Sequence, residues 1–293
     1  MSDKIKIGII GKGYVGNALA EMLQGKFDLK IYDPNIKSYS TLHKTGTTIY
    51  VTREWPEDNF KDCKLAIIAV PTEMDKTGVK FPYACNTSIV AQTVAKLDSE
   101  VILIKSTVAP GTTDALKAVH NKRIVFSPEY IGEGSYFIPA EVNFSKRMEV
   151  TPFWVLGGDT ADVVAIYDIL VPLLGPVKEY MSMSAKEAEL VKYFENYFLG
   201  LKVVFANEMR DICDTFGVNY YNVREGWVKD PRVSKFHSIN FKGKEGFSGK
   251  CLPKDLNALA RACIDEGYNP NLLLSVLEVN NKIRKKKNLD LDY

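Results

Sequence analysis

Lys4-Ile-Lys-Ile-Gly-Ile-Ile-Gly11-Lys-Gly13-Tyr-Val-Gly16 is the stretch that decides the fold. A run of β-branched residues leads into a Gly-x-Gly-x-x-Gly turn and then into a helix-like segment, the order that opens a dinucleotide-binding unit. Gly11 permits the tight turn, Gly13 lets the backbone approach a pyrophosphate, and Gly16 lets the helix pack on the strand with its N-terminal amides facing the phosphates. Asp33 ends a second strand-like run, twenty residues beyond Gly13. A carboxylate there accepts hydrogen bonds from an adenosine ribose and repels a 2′-phosphate, so the pattern points to NAD rather than NADP.

Outward from this turn, residues 29–32, 65–70, 101–105, 123–126 and 154–156 are further short strand-like runs separated by helix-like stretches. The alternation predicts an α/β fold, a Rossmann-type doubly wound parallel sheet, over residues 1–181. Ser184-Ala-Lys-Glu187 is a capping box, and the helical pattern behind it runs to about Phe216. Residues 219–228, 254–266 and 270–286 continue the helical character, which makes 182–293 a helical domain with a long central helix. Val191, Phe194, Phe198, Leu201, Val204, Phe205 and Met209 spread around more of that helix than one ~100° stripe, so a symmetric homodimer through it is expected.

A chain of 293 residues with 46% hydrophobic and 25% charged residues buries a sizeable core. Its net charge of +2 gives no broad electrostatic case for nucleic acid or a membrane surface. Strand character begins after three residues, leaving no room for a secretion signal, and no apolar run approaches the ~20 residues that span a bilayer. Five cysteines without a Cys-x-x-Cys disfavour both a disulfide framework and a metal site, so a reduced, cytoplasmic protein without metal is expected.

The chemistry concentrates in Gly246-Phe247-Ser248-Gly249-Lys250-Cys251-Leu252-Pro253-Lys254-Asp255. A cysteine at a loop-to-helix boundary, beside cations, has its thiolate favoured, as covalent catalysis on a carbonyl requires. A cysteine alone is more often a small buried hydrophobe; the neighbouring lysine and aspartate reverse that. Lys192 and Asn196 are spaced i, i+4 on one helix face, where they could converge on a single oxygen as an oxyanion site.

The segment resembles the Gly-Phe-Gly-Gly-x-Cys-x-x-Lys-Asp signature of the UDP-glucose and GDP-mannose dehydrogenases. Ser106-Thr107-Val-Ala-Pro110-Gly111-Thr112-Thr113 is similar to that family's Ser-Thr-Val-x-Pro-Gly-Thr-Thr stretch. Ser127-Pro128-Glu129-Tyr130-Ile131-Gly-Glu133-Gly134 is similar to its Pro-Glu-Phe-Leu-x-Glu-Gly stretch, and Lys192-Tyr-Phe-Glu-Asn196 to its central-helix Lys-x-x-x-Asn. The resemblance covers nearly the whole chain and implies a four-electron oxidation of a nucleotide-sugar CH2OH to carboxylate with two NAD⁺ in succession, UDP-glucose being favoured by Glu133-Gly134 and Lys254-Asp255.

Carried over, Asp255 with Thr107 takes the hydroxyl proton and Cys251 captures the aldehyde. Lys192 and Asn196 stabilise oxyanions, Glu129 assists hydrolysis, and Lys254 is a further active-site cation. The cofactor assignment comprises Gly11, Gly13, Tyr14, Val15, Gly16, Asp33, Val70, Pro71, Thr72, Ser106 and Thr107. The substrate assignment comprises Glu129, Tyr130, Ile131, Glu133, Lys192, Asn196, Gly246, Phe247 and Gly249, with Arg232 reaching the sugar of a neighbouring subunit.

Three departures accompany the match, one being the stretch from Tyr136 to Pro152, which fits the family pattern poorly. The family carries a further nucleotide-binding domain after the central helix, to which the residues up to Tyr293 offer no counterpart. Ser248 stands where the family usually has glycine, adding a Cβ to a loop in which glycine would serve either a backbone of φ > 0 or close approach to the sugar. The competing readings are a two-electron hydroxyacid dehydrogenase, which needs no Cys251, and a nucleotide-binding remnant without turnover.

Overall fold

A computed structural model describes residues 4–291 apart from 38, 45, 78–80 and 133–143. The chain divides into two compact units, 1–72 with 86–192 and 73–85 with 193–293.

The first unit opens with β1 (Lys6–Ile10), α1 (Tyr14–Leu23), β2 (Asp28–Tyr32), β3 (Ser40–Lys44), β4 (Thr47–Thr52) and β5 (Leu65–Ile68). Two-residue strands β6 (Met74–Asp75) and β7 (Ala84–Cys85) follow and belong to the second unit. The first unit resumes with α2 (Ser88–Lys96), β8 (Val101–Ile104), α3 (Thr112–His120), β9 (Ile124–Phe126), β10 (Phe153–Gly157), α4 (Thr160–Leu174) and β11 (Glu179–Met183). Its sheet has nine strands in the order β11-β10-β9-β8-β5-β1-β2-β4-β3. All four residues of β5, Leu-Ala-Ile-Ile, and of β8, Val-Ile-Leu-Ile, are buried, as central parallel strands covered on both faces must be. Separate apolar clusters form on the two faces, one around Ile7, Ile9 and Leu103 and the other around Ile10, Ile68 and Ile104.

All six strand-like runs of the sequence lie in this α/β sheet. Strands β3, β4 and β11 are additional, and two pairs, β3–β4 and β9–β10, are antiparallel rather than parallel. The two residues joining β3 to β4 allow a hairpin but not the crossover that a parallel pair needs. Both β3 and β11 sit at sheet edges, where Leu42 and Met181 remain exposed, so neither has the buried apolar run that marks a central strand.

Helix α5 (Ala185–Thr215) runs unbroken for 31 residues. Its start is the expected capping box: the Ser184 amide and hydroxyl donate to Glu187 Oε2 at 2.8 and 2.7 Å, and the Glu187 amide donates back to Ser184 Oγ at 3.3 Å. The compact units divide within α5, after Lys192, whereas the sequence boundary falls at 181/182. A helix this long packs its first turns against the sheet; Ala188 belongs to the sheet's core cluster.

The second unit continues with α6 (Tyr220–Trp227), capped by the Asn219 side chain, α7 (Leu252–Asp265) and α8 (Asn271–Lys286). Strand β7 docks on α7, where Asn257, fully buried, accepts from the Tyr83 amide at 3.3 Å and donates to the Pro253 carbonyl at 2.8 Å. Among the described residues no helix is long and apolar enough to cross a membrane.

Candidate active site

In the first unit, β1 lies between β5 and β2, so the chain leaves its two neighbours in opposite directions and a crevice opens at its carboxyl end. The glycine turn sits there. Gly11 has φ +98°, and a Cβ on it would lie 2.2 Å from the Ala69 carbonyl oxygen. A Cβ on Gly16 would lie 1.9 Å from the Gly11 oxygen, so these two glycines are demanded by the fold itself. A Cβ on Gly13 would meet nothing within 4 Å. The protein's own packing does not require glycine at this position; close approach of a pyrophosphate does, which is the fit expected for NAD.

Asp33 follows β2 and accepts from the Lys12 amide at 2.7 Å and the Asn35 amide at 2.8 Å, tying its carboxylate to the glycine turn. Tyr14 is 60% exposed on the first turn of α1, and Val15 packs against the core. Beyond β5, Val70 is half-buried, Pro71 exposed and Thr72 buried. Ser106 is buried and donates from Oγ to the Val70 carbonyl at 2.8 Å, joining the ends of β5 and β8; Thr107 beside it is half-buried.

The Pro-Gly-Thr-Thr part of that motif is architectural. Glu189 on α5, with no exposed surface, accepts from the Gly111 amide at 2.5 Å, the Thr113 amide at 2.9 Å and the Thr113 hydroxyl at 2.6 Å. A carboxylate thus caps the first turn of α3, where the unpaired amides and the helix dipole favour negative charge. Burial raises the Glu189 pKa, against these hydrogen bonds, which lower it.

Glu129 follows β9 and accepts from the Ile131 amide at 2.7 Å. Tyr130 packs edge-on against Phe153, with centroids 5.0 Å apart, and the buried Lys192 ammonium lies 5.4 Å from the Tyr130 ring centroid. Ile131 packs against the core, and Glu133 lies outside the described residues. Sequence reasoning passed over Lys105, the residue after β8. It is 4% exposed and donates to the Pro128 carbonyl at 2.6 Å and to Ser127 Oγ at 3.2 Å.

The second unit, taken by itself, holds the remaining residues named from the sequence. Cys251 is exposed at the N-terminal cap of α7, with Pro253 in the first turn as its sequence position implies. Four residues on, Asp255 is 2% exposed and held from two sides: Asn196 Nδ2 donates to Oδ2 at 2.5 Å and Lys254 Nζ to Oδ1 at 2.5 Å. One Asn196 amide proton is therefore taken by a carboxylate, a partner that the sequence reading, which aimed the side chain with Lys192 at a single oxygen, did not give it. Burial lowers the Lys254 pKa, but Asp255, with the nearby Cys85 and Cys251 thiols, outweighs burial and holds it above the ordinary value.

The loop before Cys251 is fastened by α8, which sequence reasoning also missed. Asn280, fully buried, accepts from the Phe247 amide at 2.7 Å and donates to its carbonyl at 3.1 Å. Gly246 has φ +73°, and a Cβ on it would come within 2.6 Å of Asn280 Oδ1. Left-handed backbone in the loop falls on Gly246 and Gly249, not on Ser248, so the serine is accommodated without left-handed strain. Arg232 is exposed and forms a forked pair with Asp230, Nε to Oδ1 at 3.0 Å and a terminal nitrogen to Oδ2 at 2.6 Å.

Two domain models of one family match the chain: residues 25–147 match the NAD-binding domain and 186–282 the central domain of the UDP-glucose/GDP-mannose dehydrogenases. A UDP-glucose 6-dehydrogenase of Campylobacter jejuni is 29% identical over 96% of this chain and 73% of its own length. That of Haloferax volcanii is 28% identical over 94% of this chain and 69% of its own length. A UDP-glucose dehydrogenase structure from Pyrobaculum islandicum superposes with a TM-score of 0.78 at 24% identity, over 97% of this chain and 70% of that one, and so shares the fold. The chain belongs to the UDP-glucose/GDP-mannose dehydrogenase family and carries its NAD-binding domain.

Proposed function

We propose that this protein oxidises the CH2OH of a nucleotide sugar, UDP-glucose in first place, to the carboxylate. The observation that carries the reading is the second unit's cluster, an exposed Cys251 capping the helix on which Asn196 and Lys254 clamp a buried Asp255. NAD⁺, held by the glycine turn, Asp33 and the strand ends at Val70–Thr72 and Ser106–Thr107, supplies the hydride acceptor, one molecule per two-electron step.

Asp255, oriented by Asn196 and Lys254, takes the hydroxyl proton with Thr107 as its partner, while the hydride leaves the carbon. The Cys251 sulfur then adds to the aldehyde carbon, forming a thiohemiacetal. Loss of a second hydride gives a thioester, and water, assisted by Glu129, releases the carboxylate and restores the thiol. Lys192 and Asn196 stabilise the oxyanions of both steps. Glu133, Tyr130, Ile131, Gly246, Phe247 and Gly249 are assigned to the sugar nucleotide.

Counting NADH released per UDP-glucose consumed tests the reading. Two equivalents and a uronic acid product are expected; one equivalent would replace it with a two-electron dehydrogenase, and none with any of a panel of nucleotide sugars would leave a binding protein.

The reading includes a homodimer through α5. Phe194, Phe198 and Phe205 are 58%, 59% and 44% exposed along one side of that helix, an apolar stripe that a symmetric partner would cover. In such a dimer Arg232 serves the partner's substrate. Light scattering at micromolar concentration checks this, and a mass of 32.9 kDa would exclude the dimer.

A further inference from the structure

Lys105 is a buried cation in the first unit that the reaction just described does not use. The chain delivers it at the carboxyl end of a fully buried strand, and its amide is fixed by the Ile68 carbonyl at 2.9 Å. Its ammonium has three surroundings. The Pro128 carbonyl accepts at 2.6 Å, Ser127 Oγ lies at 3.2 Å, and the Trp154 ring on β10 lies 4.9 Å away by its centroid. Among the described residues no carboxylate lies within ion-pair distance of Lys105.

Burying an ammonium without a directly bonded carboxylate is unfavourable, and a fold keeps one where its hydrogen bonds position something else. Here they land on the two residues that immediately precede Glu129. Lys105, Glu129, Tyr130 and Trp154 line one pocket, and the charged groups that face the ammonium are Glu129 after β9, which favours its charge, and Lys192 on α5, which opposes it. Trp154 lines the same pocket, and among the described residues its buried indole N–H has no acceptor. Among the described residues the carboxylate of Glu129 is thus the acidic group that acts on Lys105, with Lys192 as the opposing cation.

We propose that Lys105 is a positioning residue which fixes the Ser127-Pro128-Glu129 segment and, through its own charge, sets the balance between Glu129 and Lys192. The proposal rests on the reading that gives Glu129 and Lys192 their roles in the oxidation. Geometry carries it, and electrostatics agrees: burial pulls the Lys105 pKa down to about 7, with Glu129 resisting and Lys192 assisting. An ammonium poised there changes charge near neutrality and passes that change to both neighbours.

Two measurements test this, one independent of turnover. In the protein labelled with [ε-¹³C]lysine, the Lys105 resonance, identified by its loss in Lys105→Met and independently in Lys105→Arg, should titrate near neutrality. Glu129→Gln should move its midpoint down and Lys192→Met should move it up, each by about one unit. Midpoints unmoved by either variant overturn the proposal even if Lys105→Met fails to fold.

The second measurement is kcat for NADH production from UDP-glucose across pH 5.5–9. Lys105→Met, with NAD affinity retained, should lower kcat roughly ten- to a hundredfold, the scale of a misplacement of about an ångström, and remove the limb near neutrality. Lys105→Arg keeps the charge and should recover part of kcat without restoring the limb. A Lys105→Met enzyme with the parent kcat and pH profile overturns the proposal. If the parent protein makes no NADH from any nucleotide sugar, the functional reading fails, while the resonance titration still decides whether Lys105, Glu129 and Lys192 are coupled.

Discussion

Two desolvated lysines, Lys105 in the sheet unit and the part-buried Lys254 in the helical unit, are held in opposite ways. Lys254 has the carboxylate of Asp255 at 2.5 Å and stays a firm cation above its ordinary pKa. Lys105 has a carbonyl, a hydroxyl and an aromatic face instead, and burial brings it down to about 7. Burial of one chemical group therefore yields a permanent charge in the helical unit and a titrating one in the sheet unit. What decides is whether an anion stands in direct contact, because an ion pair offsets desolvation where neutral acceptors do so only in part.

The largest effect should come from removing the nucleophile that the helical unit presents. Cys251→Ser is expected to lower uronic acid formation at least about a thousandfold, the order of loss when a covalent nucleophile is removed, with NAD affinity unchanged. Uronic acid at the parent rate, measured by product chromatography, would show that the thiol is not the nucleophile and that this unit's charges serve something else.

Lys254→Met strikes the comparison directly. It leaves Asp255 buried with Asn196 as its remaining clamp, and loss of one partner of a buried pair should cost about 3 kcal/mol in denaturant unfolding. A variant as stable as the parent would mean that the Lys254–Asp255 pair contributes no net stability.

The sheet unit's cofactor edge can be sharpened with two glycines. Gly16→Ala forces a Cβ onto the Gly11 oxygen and should destabilise by about 1–3 kcal/mol, whereas Gly13→Ala meets nothing and should leave the melting temperature alone while weakening NAD binding. Calorimetric titration and thermal unfolding on both variants separate the two; equal melting losses would break the distinction.

Lys105 makes a pH prediction of defined sign. Its pKa is lowered on folding from 10.5 to about 7, so between these values the unfolded chain holds a proton that the folded chain does not. Its contribution to stability therefore rises with pH through that window and is lowest below pH 7, with a slope of at most about 1.4 kcal/mol per pH unit. Any stability advantage of Lys105→Met over the parent should accordingly shrink between pH 7 and pH 9. A stability difference constant over that range, in unfolding titrations at several pH values, contradicts it.

The smallest effect concerns the nucleotide. Asp33→Ser should reduce the preference for NAD⁺ over NADP⁺ by about tenfold, worth 1.4 kcal/mol, since it removes the charge that repels a 2′-phosphate. Parent protein that binds NADP⁺ as well as NAD⁺ by calorimetry would refute the cofactor reading of Asp33 altogether.

The sequence alone determined whatever depends on neighbours close along the chain. The strand-turn-helix of residues 4–16, the capping box at Ser184 and Glu187, and Cys251 with Lys254 and Asp255 at a helix start are legible because periodicity, capping and i to i+4 spacing are local physics. Strands β3 and β11 were not legible, because an edge strand needs no buried apolar run and takes its partner from elsewhere.

Tertiary structure alone decided the supports. Asn280 holds Phe247 from 33 residues away, Glu189 caps α3 from 76 residues away, and Asn196 reaches Asp255 across 59. Lys105, a polar residue closing an apolar strand, reads in sequence as a strand end. Only packing against Pro128 and Trp154 makes it a buried charge, because desolvation is a property of the space around a group and not of the residues beside it in the chain.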